Sequence, residues 1–181
     1  MDSAAENYRR FLEGEKEAFD KIMEELFHSL VFFINRYVHD MHTAEDLAID
    51  VFSELLVHKH RYHFRVKLKT YLFMLGRSRA LDWLKHQKVL SFVELTEAEG
   101  IPENQSAPEE SFLADEQKRA LHAALSSLPQ EMQTAVHLVY FEDMSYEEAA
   151  AVMRKNKKQI DNLLYRAKKE LRELLIKEGQ P

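Results

Sequence analysis

The sequence contains no cysteine, only four glycines and four prolines among 181 residues, and no long hydrophobic run. Without cysteine the chain cannot form disulfides, thiolate zinc sites or a cysteine nucleophile. So few turn-forming residues argue against a many-stranded sheet and favour an all-α fold. No window holds the roughly 20 apolar residues that span a bilayer, and the charged N-terminal segment is not a secretory signal. We therefore expect a cytoplasmic protein with no membrane insertion.

Motifs that carry enzymatic chemistry are also missing from the sequence. It has no glycine-rich phosphate loop, nucleophile elbow or zinc-protease motif, so we expect neither an enzyme nor a cofactor. His58, His60 and His63 raise the alternative of a metal site. Their spacing does not place two ligands on one helical face, and the neighbouring lysine and arginine side chains repel a cation. We therefore expect no bound metal.

The net charge of −6 is distributed very unevenly along the chain. Residues 1–90 are neutral overall, residues 91–117 carry −8 with one glycine and two prolines, and residues 118–181 carry +2. The average charge argues against nucleic acid as a partner, yet residues 58–88 carry +8 and residues 154–172 carry +6. The pattern predicts two small helical domains, 1–90 and 118–181, joined by an acidic flexible linker at 91–117.

Apolar residues at spacings of three and four predict the helices of the first domain. A long helix is expected from Glu15 to Tyr37, and Thr43 with Asp46 resembles a capping box that opens the next helix. Gly76 lies within a further helix, where glycine costs about 1 kcal/mol relative to alanine. That cost indicates close backbone packing at Gly76.

Three carboxylates, Asp46, Asp50 and Glu54, recur every four residues and are expected on one exposed line of a helix. A catalytic carboxylate cluster is one interpretation, but no nucleophile accompanies it. A solvated face or a protein-docking surface is favoured.

Two short-range capping patterns organise the second domain. Ser145 with Glu148 predicts the start of a short helix, and Asn156 with Gln159 predicts the start of a longer one. A short helix, a tight turn and a longer helix form the layout of a helix-turn-helix, whose second helix reads DNA.

The second of these helices carries the cations that favour DNA contact. Lys157 and Lys158 lie in its first turn, where positive charge opposes the helix dipole and an anion would compensate. The alternative is a solvated helix with surface ion pairs. The residues expected to contact DNA are Lys157, Lys158, Gln159, Asn162, Tyr165, Arg166 and Lys169, with Asn162, Tyr165 and Arg166 facing base edges.

Cations and aromatic residues alternate in residues 58–88, as in surfaces that bind single-stranded DNA. Tyr71 and Phe73 fit better as core residues. The better candidates lie from Tyr62 to Lys69, where the helical pattern is broken. The residues expected to contact DNA here are Tyr62, Arg65, Lys67 and Lys69, together with Arg61 directly before them.

Two ordered blocks of the sequence resemble a known family. TAEDLAIDVFSELL (43–56) and LKTYLFMLGRSRALDWLKHQK (68–88) resemble region two of bacterial RNA polymerase sigma factors of the extracytoplasmic-function (ECF) type. ALSSLPQEMQTAVHLVYFEDMSYEEAAAVMRKNKKQIDNLLYRAKKEL (124–171) resembles their region four. The resemblance implies a region-two helical bundle, a region-four helix-turn-helix and a role in promoter-specific initiation.

The resemblance also implies partners and further site residues. The partners are core RNA polymerase, through its beta-prime and beta subunits, and promoter DNA with −35 and −10 elements. Residues 58–70 correspond to the segment that melts the −10 element and captures a flipped base. The helix that faces the upstream part of that element carries Arg77, Arg79, Asp82 and Lys85. The residues implied in polymerase binding are Glu45, Asp46, Asp50, Phe52 and Glu54.

The sequence departs from the family pattern at several positions, including Arg154 where a turn glycine is common. Family members are often held by an anti-sigma factor, and no residue pattern identifies one here. Two other functions remain as alternatives: a helix-turn-helix regulator that acts without joining the polymerase core, and a helical adaptor with no DNA role. Holoenzyme formation would distinguish these alternatives from a sigma factor.

Overall fold

A computed structural model describes residues 2–94 and 114–177, and all regular structure in these two ranges is helical. This confirms the all-α prediction. The helices form two compact units, which are described separately below. Most of the predicted linker, residues 95–113, lies outside the described residues. Within the described ranges, no helix has the length and apolar character needed to cross a bilayer.

The N-terminal unit consists of four helices: α1 (Ser3–Leu12), α2 (Glu17–Val38), α3 (Met41–Val57) and α4 (Leu68–Glu94). Helices α2 and α4 pack through fully buried side chains, with the rings of Phe33 and Phe73 4.8 Å apart. A Cβ added at Gly76 would lie 2.7 Å from Leu30 Cδ1. The close packing predicted at Gly76 is therefore confirmed.

The start of α3 differs from the predicted capping box. The carboxylate of Asp40 accepts hydrogen bonds from the Thr43 backbone N–H at 3.0 Å and from Thr43 Oγ1 at 2.6 Å. Asp40 has extended backbone geometry and is the N-cap, so the helix begins at Met41. The predicted pairing of Thr43 with Asp46 was wrong because an aspartate three residues earlier caps the helix instead.

Helix α1 anchors both ends of the segment between α3 and α4, residues 58–67. At one end, the Tyr8 hydroxyl donates to the carbonyl oxygens of Leu55 at 3.0 Å and Lys59 at 3.1 Å. Burial raises the pKa of Tyr8 to about 12, so the hydroxyl keeps its proton. At the other end, Asp2 accepts from Leu68 N at 2.8 Å while it also caps α1 through Ala5 N at 3.2 Å.

The C-terminal unit is described from α5 (Ala114–Ser127) and α6 (Gln130–Val136), which continues as a π-helical turn (His137–Phe141), to α7 (Tyr146–Met153) and α8 (Lys157–Lys177). Met132, Leu138, Ile160 and Leu164 are fully buried and form the centre of its core. Beside this core, His137 Nε2 lies 3.0 Å from Glu142 Oε1, and both side chains are buried. The core fixes α8 against α6, which leaves the opposite side of α8 for solvent or a ligand.

Candidate nucleic-acid interface

Both predicted capping boxes are present at the starts of α7 and α8. The backbone N–H of Ser145 donates to Glu148 Oε2 at 2.8 Å, and that of Glu148 donates to Ser145 Oγ at 3.1 Å. Asn156 and Gln159 exchange the same pair of bonds, each at 2.9 Å. Because each box involves residues only three positions apart, the sequence was sufficient to locate the two helix starts.

The turn between α7 and α8 has a left-handed residue at its centre. Arg154 has φ 54°, and the next residue, Lys155, donates its backbone N–H to Ala150 O at 2.9 Å. This is the Schellman arrangement that ends many helices, usually with glycine at the left-handed position. Arginine there costs about 1–2 kcal/mol relative to a right-handed conformation. The turn therefore keeps the left-handed conformation that glycine usually provides, although the sequence has arginine at this position.

Helix α8 has one packed side and one exposed side. Its packed side carries Ile160, Leu163, Leu164 and Ala167. Tyr165, on the opposite side, is 72% exposed. The predicted DNA-contacting residues of α8 are all exposed: Lys157, Lys158, Gln159, Asn162, Tyr165, Arg166 and Lys169. The packing thus brings them together on the accessible surface of one helix.

Part of the positive charge near α8 is paired within the C-terminal unit. Lys157 Nζ lies 2.6 Å from Glu147 Oε1, and this contact raises the pKa of Lys157 and lowers that of Glu147. Lys155 pairs with Glu131 at 2.8 Å. The Lys157 and Glu147 side chains are both well exposed, so a DNA phosphate could replace the glutamate without opening the core.

The ring of Tyr62 is not available as a base-stacking surface. Tyr62 is 4% exposed, and its hydroxyl donates to Val66 O at 2.7 Å. Its ring lies 5.1 Å from that of Tyr71 and 4.6 Å from that of Phe64. The expectation that Tyr62 stacks on unpaired bases is therefore corrected: tertiary contacts with neighbouring rings make it a core residue.

A depression of about 350 Å³ lies between α1 and the 58–67 segment. Phe64 has a left-handed backbone (φ 58°), and the guanidinium of Arg9 lies 4.8 Å from the centre of its ring. The lining residues are Asp2, Ala5, Glu6, Arg9, Tyr62, Phe64, Arg65, Val66 and Lys67. Arg9 was missed from the sequence because it lies on a separate helix, with no local pattern that connects it to this segment.

Helix α3 presents an acidic exposed side. Glu45, Asp46 and Asp50 are exposed, and Ile49 among them is 49% exposed. A mixed acidic and apolar helical surface of this kind suits another protein better than it suits DNA. The exposure of Asp46 and Asp50 agrees with the prediction from their spacing.

Two residues assigned to the same surface lie elsewhere. Phe52 is 2% exposed, and its ring lies 5.9 Å from that of Phe27, so it is a core residue. Glu54 has a side chain only 13% exposed and pairs with Arg61 and Arg79. Both are corrected as direct polymerase contacts: helix packing covers Phe52, and the side chains of Arg61 and Arg79 cover the Glu54 carboxylate.

The remaining predicted residues lie along α4 and the segment before it. Arg65 and Lys85 are exposed, Arg77 is half-buried, and Lys69 Nζ lies 5.7 Å from the centre of the Phe73 ring. His58, His60 and His63 are exposed. Among the residues that the structure describes, no cluster of three or more histidine, aspartate or glutamate side chains is arranged to hold a metal ion.

Comparison with protein-family models identifies both blocks. Residues 22–89 match Sigma-70 region 2, and residues 118–171 match Sigma-70, region 4. The first match covers most of α2, all of α3, the 58–67 segment and α4 as far as Val89, and the second match includes the helix-turn-helix.

Relatives match over nearly the whole chain. RNA polymerase sigma factor YlaC of Bacillus subtilis is 23% identical, covering 90% of this chain and 94% of the relative. The ECF RNA polymerase sigma factor SigM of the same organism is 28% identical, covering 86% and 93%. A solved structure, the sigma factor RpoE in complex with the anti-sigma factor NepR from Bartonella quintana, shares the fold at TM-score 0.67 and 22% identity, covering 87% of this chain and 96% of that chain. The chain thus belongs to the sigma-70 family, as an RNA polymerase sigma factor of the extracytoplasmic-function type.

Proposed function

We propose that the chain binds core RNA polymerase and directs it to promoters, with α8 reading the −35 element and the 58–67 segment and α4 acting at the −10 element. The observation that carries this proposal is the exposed side of α8. A helix fixed by its packed side and by a capping box can enter the major groove of DNA, where base edges are distinguishable. Asn162 and Arg166 would contact bases, and Lys158 would contact phosphate.

The acidic exposed side of α3 supports docking on the polymerase. Glu45, Asp46 and Asp50 would face the beta-prime subunit, with Ile49 supplying apolar contact area among them. A helix-turn-helix regulator that acts alone has no need of this second surface. The family relationship therefore favours the sigma factor over that alternative.

The depression beside Phe64 supports a role in strand opening. An unpaired base needs an apolar or aromatic wall, and its phosphates need cations. Phe64 offers the wall, while Arg9, Arg65 and Lys67 offer positive charge around it. Binding of unpaired bases would stabilise the open promoter, so the protein would act through binding energy and not through bond chemistry.

We also propose the three-part division predicted from composition: a region-two domain at 1–90, an acidic linker at 91–117 and a region-four domain at 118–181. The two family matches fall inside the outer parts. A regulatory partner is proposed by analogy with the sigma factor RpoE, which was solved in complex with an anti-sigma factor. Such a partner would inhibit transcription by covering the exposed side of α3.

Transcription in vitro on a randomised promoter library tests the proposal. Core polymerase with the chain should initiate from templates that share one −35 and one −10 motif, whereas core polymerase alone should not enrich them. Co-migration of the chain with core polymerase on a native gel checks assembly. Sequence-specific DNA binding without assembly would instead establish a regulator that acts outside the polymerase.

A further inference from the structure

A single carboxylate of α3 holds two cations that belong to the proposed −10 surface. Glu54 Oε1 lies 2.7 Å from Arg61 Nη1, and Glu54 Oε2 lies 2.5 Å from Arg79 Nη2. Arg61 lies in the 58–67 segment, and Arg79 lies on α4. These three side chains, the Glu54 clasp, thus join α3 to both parts of the proposed −10 surface.

The burial of the three side chains is unequal. The Glu54 side chain is 13% exposed, whereas those of Arg61 and Arg79 are 60% and 43% exposed. The hydrogen bond from Arg79, with a further one from Arg61, keeps the pKa of Glu54 below its usual value. The carboxylate is therefore ionised at neutral pH and faces its two partners, while the arginines keep part of their surface in solvent.

The clasp completes a set of contacts that hold the 58–67 segment in one conformation. Tyr8 and Asp2 hold its two ends, as described above, and Glu54 holds Arg61 between them. A binding segment that is already ordered loses less conformational entropy when its ligand arrives. Fixed arginines also place positive charge at defined positions instead of over a wide volume.

We propose that Glu54 is a positioning residue for promoter recognition, which fixes Arg61 and Arg79 so that the 58–67 segment receives −10 DNA in a defined geometry. This inference rests on the proposed function and assigns Glu54 a role other than the polymerase contact predicted from the sequence. The two roles predict different defects when Glu54 is replaced. A docking residue is required for holoenzyme assembly, whereas a positioning residue is required for discrimination among −10 sequences.

The test compares wild type, Glu54→Gln and Glu15→Gln in the full chain with core polymerase. Glu15 is a matched control because it pairs with Arg10 at 2.6 Å on the same unit, and neither residue lines the depression beside the 58–67 segment. Holoenzyme formation is followed on native gels, and promoter opening is followed by permanganate reactivity of unpaired thymines on the selected promoter and on −10 substitutions of it.

We expect Glu54→Gln to assemble with core polymerase as wild type does. Wild type should prefer the selected −10 base pair by about tenfold or more, and the preference should fall to about threefold or less in Glu54→Gln. Release of the two arginines should steepen the salt dependence of binding to unrelated DNA by about one unit for each arginine that reaches a phosphate. Glu15→Gln should change neither quantity. A general loss of structure would reduce promoter opening on all templates alike and would not steepen the salt dependence of DNA binding.

Loss of assembly in Glu54→Gln with an unchanged thermal melt would overturn the proposal in favour of docking. Unchanged −10 discrimination would also overturn it. If Glu54→Gln lowers the melting temperature strongly, Glu54→Asp tests the same idea, because it keeps the charge but withdraws the carboxylate by one methylene. Its −10 preference should also fall. Failure of the wild-type chain to initiate at any promoter would instead refute the proposed function.

Discussion

Replacement of Asp2 by alanine removes a carboxylate that serves two helices. Asp2 accepts from Ala5 N at 3.2 Å at the start of α1 and from Leu68 N at 2.8 Å at the start of α4. Loss of a helix N-cap typically costs about 1 kcal/mol. Because two helix starts lose their acceptor together, we expect Asp2→Ala to reduce the free energy of unfolding of the N-terminal unit by about 2 kcal/mol.

Urea unfolding followed by the fluorescence of Trp83 measures this loss. Trp83 is the only tryptophan in the sequence and lies on α4, so its signal reports the N-terminal unit. With a urea dependence of about 1 kcal/mol/M for a unit of this size, the midpoint should fall by about 2 M in Asp2→Ala. Asp2→Asn, which retains one acceptor oxygen, should lose about half as much.

Asp40→Ala is the matched control, because Asp40 caps only α3. Its midpoint should fall by about half as much as that of Asp2→Ala. Equal losses in the two alanine variants would refute the double cap. A change in the urea dependence itself would indicate an altered unfolded state and would require the comparison to be repeated by thermal unfolding.

Further predictions concern α8, α3 and the Glu54 clasp. Arg166→Ala should cost about 1–3 kcal/mol of binding free energy on the selected −35 element, whereas Lys158→Ala should weaken binding to all sequences alike and reduce the salt slope by about one unit. Fluorescence anisotropy on selected and scrambled duplexes measures both effects. A uniform loss of affinity in Arg166→Ala would contradict base contact. Asp46→Arg should abolish assembly with core polymerase on native gels without a change in thermal unfolding, and normal assembly would argue against docking through α3. The difference in unfolding free energy between wild type and Glu54→Gln should be constant above pH 4.5 and shrink below it. The reason is that Glu54, with its lowered pKa, stabilises the fold only while it is ionised. A difference that persists to pH 2 would contradict this prediction.

The features that the sequence predicted well are local ones. The capping boxes at Ser145 and Asn156 depend on bonds between residues three positions apart. The close packing at Gly76 was indicated by a glycine within an otherwise strong helical pattern. The order of the two sigma-like blocks was also visible, because each block is continuous in sequence.

The errors on α3 have a geometric cause. Eight residues separate Asp46 from Glu54, and at 3.6 residues per turn they differ by about 80° around the helix axis. The prediction treated residues four positions apart as lying on one exposed line and so included Glu54. The accumulated rotation instead turns Glu54 toward Arg61 and Arg79. Phe52 was assigned from resemblance alone, and its burial depends on the aromatic side chains of α2.

The sequence by itself determined the helical fold, the helix-turn-helix and the family, because periodicity, caps and motifs are properties of neighbouring residues. Tertiary structure decided which charged and aromatic side chains are accessible. Arg9 and Glu54 contact the 58–67 segment from helices that fold against it, and Asp2 holds the start of α4 directly after that segment. Their roles depend on distances across the core, since the free energy of a hydrogen bond or ion pair depends on the separation of atoms in space and not on their separation along the chain.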